Sequence, residues 1–209
     1  GKALAGGGMG AEANLDTLGL HYSGKLGSVK LQAEFDMQMG SADASPTSSK
    51  DFSGKQIVVQ ASMPMDALTI NATVAMGTGD DKTTANDNEG IQTALDKDQH
   101  YTLVYEYFVA TAAGAKSTGF ANTTALNLGA SYKVSKNLTV GLDYWTLKAT
   151  EVAAGAKDDL GSEIDVKILW TLNDNLSWNW QLGRLMTGKF YGATVDDADA
   201  VMGILSYKF

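Results

Sequence analysis

Charged side chains recur at alternate positions in several stretches of this chain, and apolar residues occupy the positions between them. Alternate side chains of an extended strand point to opposite faces of a sheet, so the charges of one stretch would share one face. Ammonium and carboxylate groups lining a water-filled passage attract or repel dissolved solutes, which is selection without bond chemistry. The sequence therefore predicts ten lumen-lining residues: Lys30, Glu34, Asp36, Lys133, Asp143, Trp145, Glu163, Asp165, Lys167 and Lys208.

Two interpretations of these charges stay open. Four of the nine ionisable residues are positive and five are negative. In a wide barrel the interior holds water and the charges would tune selectivity, whereas in a narrow barrel they would pair with each other and close the lumen. Trp145 shares their parity and would either contact a solute or pack against a loop.

The residue types do not predict an enzyme. Hydrolytic chemistry needs a nucleophile or activated water beside a positioned base, and the only histidines are His21 and His100, one in a weak strand pattern and one in a loop. The acidic clusters, such as residues 80–81 and 196–199, lack the spacing of a calcium loop. With no cysteine present, no thiolate metal site is expected either. We expect no catalytic residue, no metal and no cofactor.

Composition excludes two further classes of protein. The net charge of -8 over 209 residues disfavours a nucleic-acid partner. No apolar run reaches the roughly 18 residues of a membrane-spanning helix. The mean hydropathy of the chain is near neutral, at -0.12. A transmembrane barrel produces such values because only alternate strand residues meet lipid.

Nine segments alternate cleanly between apolar and polar residues. Sustained alternation predicts strands, and about ten residues suffice for a tilted strand to cross a bilayer. The segments comprise residues 17–23, 29–39, 56–63, 68–76, 126–134, 138–144, 163–172, 176–182 and 201–209.

The connections between these segments alternate in length along the chain. Short turns are predicted at residues 26–27, 64–67, 135–137 and 173–175, and long external loops near 40–54, 77–124, 148–161 and 187–198. Outer-membrane barrels combine tight periplasmic turns with long external loops in this way. The sequence predicts one all-β region over residues 1–209, a transmembrane antiparallel β-barrel in the bacterial outer membrane.

The last strand and the aromatic residues indicate how the barrel meets its surroundings. Residues 201–209 resemble the closing strand of outer-membrane barrels, which the barrel-assembly machinery recognises in that family.

Aromatic rings of the outward parity are expected at the membrane interface, beside lipid and lipopolysaccharide. Arg184 would reach lipid phosphates at the outer edge, unless a bulge at Gly183 turns it inward. The interface aromatics are Tyr132, Tyr144, Trp170, Trp178, Trp180, Tyr207 and Phe209.

Residues 98–110 complicate the strand count. They are rich in β-prone and aromatic residues, yet they lie inside the longest connection. We interpret them as an ordered part of an external loop folded into the mouth, and a tenth spanning strand is the alternative. Nine strands that begin outside the cell leave an odd count, whereas single-chain barrels of this kind have an even one. The chain is therefore expected to be the C-terminal part of a larger barrel, whose N-terminal portion supplies an odd number of strands.

The stretch from Gly119 resembles the C-terminal region of the alginate-export porin family. The matching runs are FANTTALNLGASYKVSKNLTVGLDYWTL and LGSEIDVKILWTLNDNLSWNWQLGRL. The resemblance implies an 18-stranded barrel, of which nine strands are half. A path for a polyanion would use arginines, which hold carboxylates bidentately, and this chain has only Arg184.

The mixed charges instead predict a channel for diffusion or export of small hydrophilic solutes. The alternative is a structural or docking barrel whose lumen holds a partner protein, such as an electron-transfer partner.

Overall fold

The computed structural model describes residues 13–45, 48–92, 101–108, 120–192 and 194–209. These residues fold into one large β-sheet with nine long strands of 10 to 17 residues. The nine are β1 (Ala13–Leu26), β2 (Val29–Ser45), β4 (Lys55–Met65), β5 (Leu68–Gly77), β7 (Thr123–Lys133), β8 (Leu138–Ala149), β9 (Asp159–Thr171), β10 (Leu176–Thr187) and β11 (Ala198–Tyr207). Two short strands, β3 (Ser48–Phe52) and β6 (Asp87–Asn88), complete the sheet. The nine long strands confirm the nine segments predicted from alternation.

The long strands pair antiparallel with their neighbours in the chain. The order across the sheet is β11-β10-β9-β8-β7-β5-β4-β2, and β1 pairs with the free side of β2. Among the nine long strands of the described residues, β1 and β11 each have one long neighbour and form the two edges. Since nine is odd, the two edge strands run in the same direction.

Short and long connections lie at opposite ends of the sheet, which we call the short-turn end and the long-connection end. Two-residue turns join β1 to β2 and β4 to β5, and the residues Gly27 and Asp66 in them have positive φ angles of 60° and 52°. At the opposite end, the predicted loop 40–54 is largely a hairpin, because β2 continues past Gly40 and pairs with β3 from Phe52 back to Ser48. Extended pairing satisfies backbone groups that an open loop would leave to water.

The two faces of the sheet differ as the alternation predicts. On the face we call outer, Leu126 and Leu128 expose 50% and 65% of their surface. The residues between and beside them, Ala125 and Asn127, lie buried on the inner face. A run of large exposed apolar side chains is costly in water and is the expected covering of a sheet that faces lipid.

The buried core lies on the inner face, toward the long-connection end. Residues 101–108, which we call the inner segment, pack there with Phe120 against inner-face residues of β7, β8 and β10, including Leu147 and Leu185. The segment contains one helical turn, α1 (Tyr105–Phe108), and is not the tenth spanning strand that its composition allowed. The rest of the stretch 98–110 lies outside the described residues. None of the helices in the described ranges has the length and apolar character to span a membrane.

Candidate functional site

The carboxylate of Glu163 holds the inner segment on the sheet. Glu163 points inward from β9 and is fully buried. Its Oε1 accepts hydrogen bonds from the backbone N–H groups of Leu103 (2.7 Å) and Val104 (2.6 Å), and its Oε2 accepts one from Tyr105 (2.8 Å). The first two of these N–H groups precede α1 and the third belongs to its first residue, where helical hydrogen bonding leaves N–H groups without carbonyl partners. A charged acceptor therefore satisfies the start of the turn from a strand about 60 residues away in sequence.

A second carboxylate, Glu106, closes the segment on itself. Its Oε2 accepts hydrogen bonds from the backbone N–H of Tyr101 and of Thr102, both at 2.6 Å, and from the Thr102 hydroxyl at 3.1 Å. Its Oε1 is buried and has no hydrogen-bond partner among the described residues. Burial raises the pKa of Glu106 to about 7; the bonds from Thr102 and Tyr101 oppose the rise and the charge of Glu163 adds to it.

A third carboxylate, Asp165, lies directly beneath the segment. It follows Glu163 by two residues on the same face, it is fully buried, and neither of its oxygens has a hydrogen-bond partner among the described residues. The residue opposite it on β10 is Gly183. A Cβ atom at Gly183 would lie 2.7 Å from Asp165 Oδ1 and 2.9 Å from Val104 Cγ2. The missing side chain is what lets the inner segment approach the sheet here.

Aromatic rings fill the space between the segment and β8. Tyr101 stacks on Phe120 with ring centroids 5.0 Å apart, and both rings contact Trp145 at 6.5 and 5.9 Å. Trp145 is only 3% exposed; it packs against the inner segment and also borders the cavity described next. Burial raises the pKa of the Tyr101 phenol to about 12, with smaller contributions from the charges of Glu34, Glu106 and Asp36.

A polar cavity of about 600 Å³ opens on the short-turn side of the inner segment. Lys25 and Lys30, which lie opposite each other on β1 and β2, line it. Lys167 also lines it and pairs with Asp143, Nζ to Oδ2, at 3.1 Å. Three lysines against one aspartate make the charged lining positive although the whole chain is negative. The remaining polar lining includes Ser23, Gln32, Gln60, Ser62, Asn71, Thr73 and Asn127.

The ten predicted lumen-lining residues fall into separate groups. Lys30, Asp143, Trp145 and Lys167 line the cavity. Glu163 and Asp165 lie on the predicted face but beneath the inner segment, because alternation indicates a face and not what covers it. The others lie toward the ends of strands or on β2: Glu34 and Asp36 are half-buried on β2, Lys133 ends β7, and Lys208 follows β11.

Sequence reasoning missed two contributors to this face. Lys25 lies beyond the alternation of residues 17–23, whereas β1 continues to Leu26. The inner-face amides, such as Gln60 and Asn127, carry no charge and were read only as polar positions. Extending the alternation of the first strand by two residues would have placed Lys25 on the inner face.

The predicted interface aromatics all lie on or beside the outer face. Trp170 and Trp178 pair across β9 and β10 next to the short turn, and Trp178 and Trp180 lie 5.1 Å apart. Tyr132 and Tyr207 are near the same end, Phe209 follows, and Tyr144 lies farther along its strand. Their role at a membrane interface stays a prediction.

Arg184 points to the outer face. It pairs regularly with Ile164 and Asp199, so no bulge occurs at Gly183. Its guanidinium contacts Asp197 at 3.2 Å and Asp199 at 3.5 Å. The predicted lipid phosphates would therefore compete with two carboxylates.

The fold resembles those of solved structures from Pseudomonas aeruginosa. OccK9 (OpdG) of Pseudomonas aeruginosa matches with a TM-score of 0.57 and 17% identity, covering 92% of this chain and 46% of that chain. OccK5 (OpdH) gives the same TM-score and identity and is covered to 49%, and OccK3 (OpdO) gives 0.55 and 16% over 93% of this chain and 49% of that one. The fold is that of a porin-like β-barrel.

This porin-like chain spans about half the length of those neighbours. At 16–17% identity these likenesses show a shared fold. They do not support the specific resemblance to the alginate-export family. No family model and no curated protein matches the sequence. Among the described residues, no group of three or more His, Asp or Glu side chains is arranged to hold a metal ion.

Proposed function

We propose that this chain forms part of an outer-membrane channel through which small hydrophilic solutes diffuse. The observation that carries the proposal is the contrast between the two faces of one antiparallel sheet. The outer face exposes large apolar side chains, whereas the inner face bounds a 600 Å³ cavity lined by lysines, amides and hydroxyls. Lipid on one side and water on the other is the environment that satisfies both faces.

The edges of the sheet indicate what completes the barrel. Strands β1 and β11 run in the same direction, so an antiparallel barrel closes only if an odd number of further strands joins them. Nine more strands would give 18, in keeping with neighbours about twice as long as this chain. We assign those strands to the N-terminal portion of the same barrel, and assembly through the closing strand β11 to the barrel-assembly machinery.

Selectivity would come from size and weak electrostatics. The inner segment narrows the lumen toward the long-connection end, and the cavity beyond it carries three lysines and one aspartate. Such charges bias ion passage without binding a solute tightly. The solute gradient would set the direction of transport, including export. The resemblance to the alginate-export family adds no residue that would hold a polyanion.

Proteoliposome swelling tests the proposal. The protein as isolated from its membrane is reconstituted, and swelling is followed in uncharged sugars of increasing size. We expect rapid swelling in small sugars that declines steadily with sugar size, while folded protein that admits none of them would overturn the proposal.

A docking barrel is the second candidate, and one observation favours it. The inner segment, Phe120 and Trp145 fill the long-connection half of the inner face with close-packed side chains. If a partner protein occupied the remaining space, reconstituted protein would exclude every sugar and a second polypeptide would co-purify in fixed proportion.

A further inference from the structure

The carboxyl groups in and beneath the inner segment would, if all were ionised, carry more negative charge than the described residues around them balance. Glu106, Glu163 and Asp165, which we call the carboxyl cluster, are each at most 1% exposed. The one cation whose charge bears on Asp165 among the described residues is Lys167, and that side chain is itself paired with Asp143. Buried like charges repel strongly because little water screens them.

Hydrogen bonds compensate only part of this cluster. Glu163 accepts three backbone N–H groups, an arrangement that stabilises an ionised carboxylate. Asp165 has no partner for either oxygen, and Glu106 has none for Oε1, among the described residues. Unpaired buried oxygens of this kind are far less costly when the carboxyl group holds a proton.

The other titratable groups around the cluster do not supply positive charge. On the segment itself, the Tyr105 hydroxyl lies 2.5 Å from Thr123 Oγ1, and Tyr101 faces Glu34 and Asp36 of β2. From the 3₁₀ turn at Lys189–Tyr191, the phenol of Tyr191 approaches Tyr105. All of these groups are neutral or negative near neutral pH, so none of them offers the ionised cluster a counterion within the described part of the chain.

We propose that the inner segment is a pH-sensitive constriction of the lumen, which docks on the sheet while Glu106 and Asp165 hold protons and lifts away as these two groups ionise. Lifting would hydrate all three carboxylates and widen the passage next to the 600 Å³ cavity. The widening rests on the proposed channel, whereas the movement of the segment does not.

The direction of the response follows from Glu106. Its pKa is about 7 in the docked state against an ordinary value of 4.5. An acid that binds its proton more tightly when docked favours docking at low pH, and this contribution is lost as pH rises through about 7. The 2.5-unit difference corresponds to a factor of at most about 300 in the docking equilibrium.

Cysteine labelling tests the movement directly, since the chain has no cysteine of its own. The variant Val104→Cys places a thiol at a fully buried position of the segment, and Ser23→Cys places one at an exposed position of the cavity. Both variants are labelled with a small neutral maleimide, and the labelling rate of Val104→Cys is divided by that of Ser23→Cys. The intrinsic pH dependence of thiol reactivity affects both rates and therefore cancels in the ratio. We expect the ratio to rise about tenfold or more from pH 5 to pH 8.5 in the intact isolated protein.

Two further substitutions identify the titrating group. Glu106→Gln keeps an oxygen that accepts the N–H bonds of Tyr101 and Thr102 but cannot ionise, so it should flatten the rise. Glu89→Gln changes a carboxyl group in the connection between β5 and β7 that accepts a hydrogen bond from the Thr84 hydroxyl. This variant should retain the full pH-dependent rise of the ratio. The proposal is overturned if the ratio does not change with pH, or if Glu106→Gln leaves the change intact.

Labelling reports the position of the segment even in a barrel that conducts nothing, so failure of the proposed channel remains distinguishable. In a conducting barrel, conductance should rise over the same pH interval. A labelling change without a conductance change would overturn the role of the segment as a constriction.

Discussion

The substitution Glu163→Gln should release the inner segment while leaving the sheet intact. The carboxylate accepts three backbone N–H groups from residues 103–105 at 2.6 to 2.8 Å. An amide offers one oxygen, so two of these bonds become neutral and the third N–H faces an NH₂ group. A hydrogen bond to a charged group contributes about 1.5–3 kcal/mol and a neutral one about 1 kcal/mol.

Removal of a buried charge offsets part of this loss, because Glu163 also repels Asp165 and Glu106. We estimate a net destabilisation of docking of about 3 kcal/mol, which is a factor of roughly 150 in the docking equilibrium. Hydrogen exchange of the N–H groups of Leu103, Val104 and Tyr105 measures this equilibrium when the segment closes faster than its amides exchange.

The matched control is Glu151→Gln, the same chemical change at an exposed carboxyl group in the connection after β8. It should leave exchange in the inner segment unchanged, and neither variant should accelerate exchange in the middle of β8. If the amides of residues 103–105 are as protected in Glu163→Gln as in the unaltered protein, Glu163 does not hold the segment and the reasoning is wrong.

Three further predictions concern the packing, charge and tethering of the inner face. Gly183→Ala should also loosen the segment, by about 1–3 kcal/mol, because the new Cβ would meet Asp165 Oδ1 at 2.7 Å; hydrogen exchange in the segment measures it. Lys30→Glu should shift ion preference toward cations, as read from the reversal potential under a salt gradient. Gln38→Ala should free the connection after β5, since the buried Gln38 amide both donates to the Gln92 carbonyl (2.6 Å) and accepts from its N–H (2.7 Å); faster exchange at Gln92 would report a local loss of about 1–3 kcal/mol.

Each of these has a matched control elsewhere in the chain. Gly141→Ala adds the same methyl group on the inner face where the nearest atom is 3.6 Å away, and should be silent. Lys157→Glu changes an exposed charge in an outer connection and should leave the reversal potential in place. Gln181→Ala removes a half-buried amide of β10 and should not alter exchange at Gln92. If a control variant changed hydrogen exchange or reversal potential as much as the variant it is matched to, the change would be general and not due to the named contact.

The strands were predictable from the sequence because period-two alternation is a property of the chain itself. In β8, for example, Leu142 and Tyr144 alternate with Asp143 and Trp145, and the structure exposes the first two on the outer face. The same alternation placed Arg184 outward, which the regular pairing of β10 confirms. The number of long strands and the face on which each side chain lies could therefore be predicted without information on long-range contacts.

The inner segment was not predictable in the same way. Its tyrosines, valine and phenylalanine have high strand propensity, yet residues 105–108 form a helical turn. The turn exists because Glu163, distant in the chain, accepts its first N–H groups and because Gly183 leaves room for it. Tertiary contacts here override local propensity, and no local pattern reports which strand supplies the acceptor.

The same limit applies to the predicted lumen. Alternation assigned Glu163 and Asp165 correctly to the inner face, but it could not show that the inner segment covers them. Lys30, Asp143 and Lys167 do border the cavity, since nothing packs over the short-turn half of the described inner face. The face on which a side chain lies follows from the alternation of its own strand. Its exposure depends on the inner segment, which belongs to the long connection between β5 and β7.

Single-channel recording in a planar bilayer tests the central claim most directly. The intact isolated protein, with whatever strands complete its barrel, should produce stepwise openings of uniform size that Glu163→Gln enlarges. Folded protein that inserts into the bilayer and gives no steps would contradict a water-filled lumen.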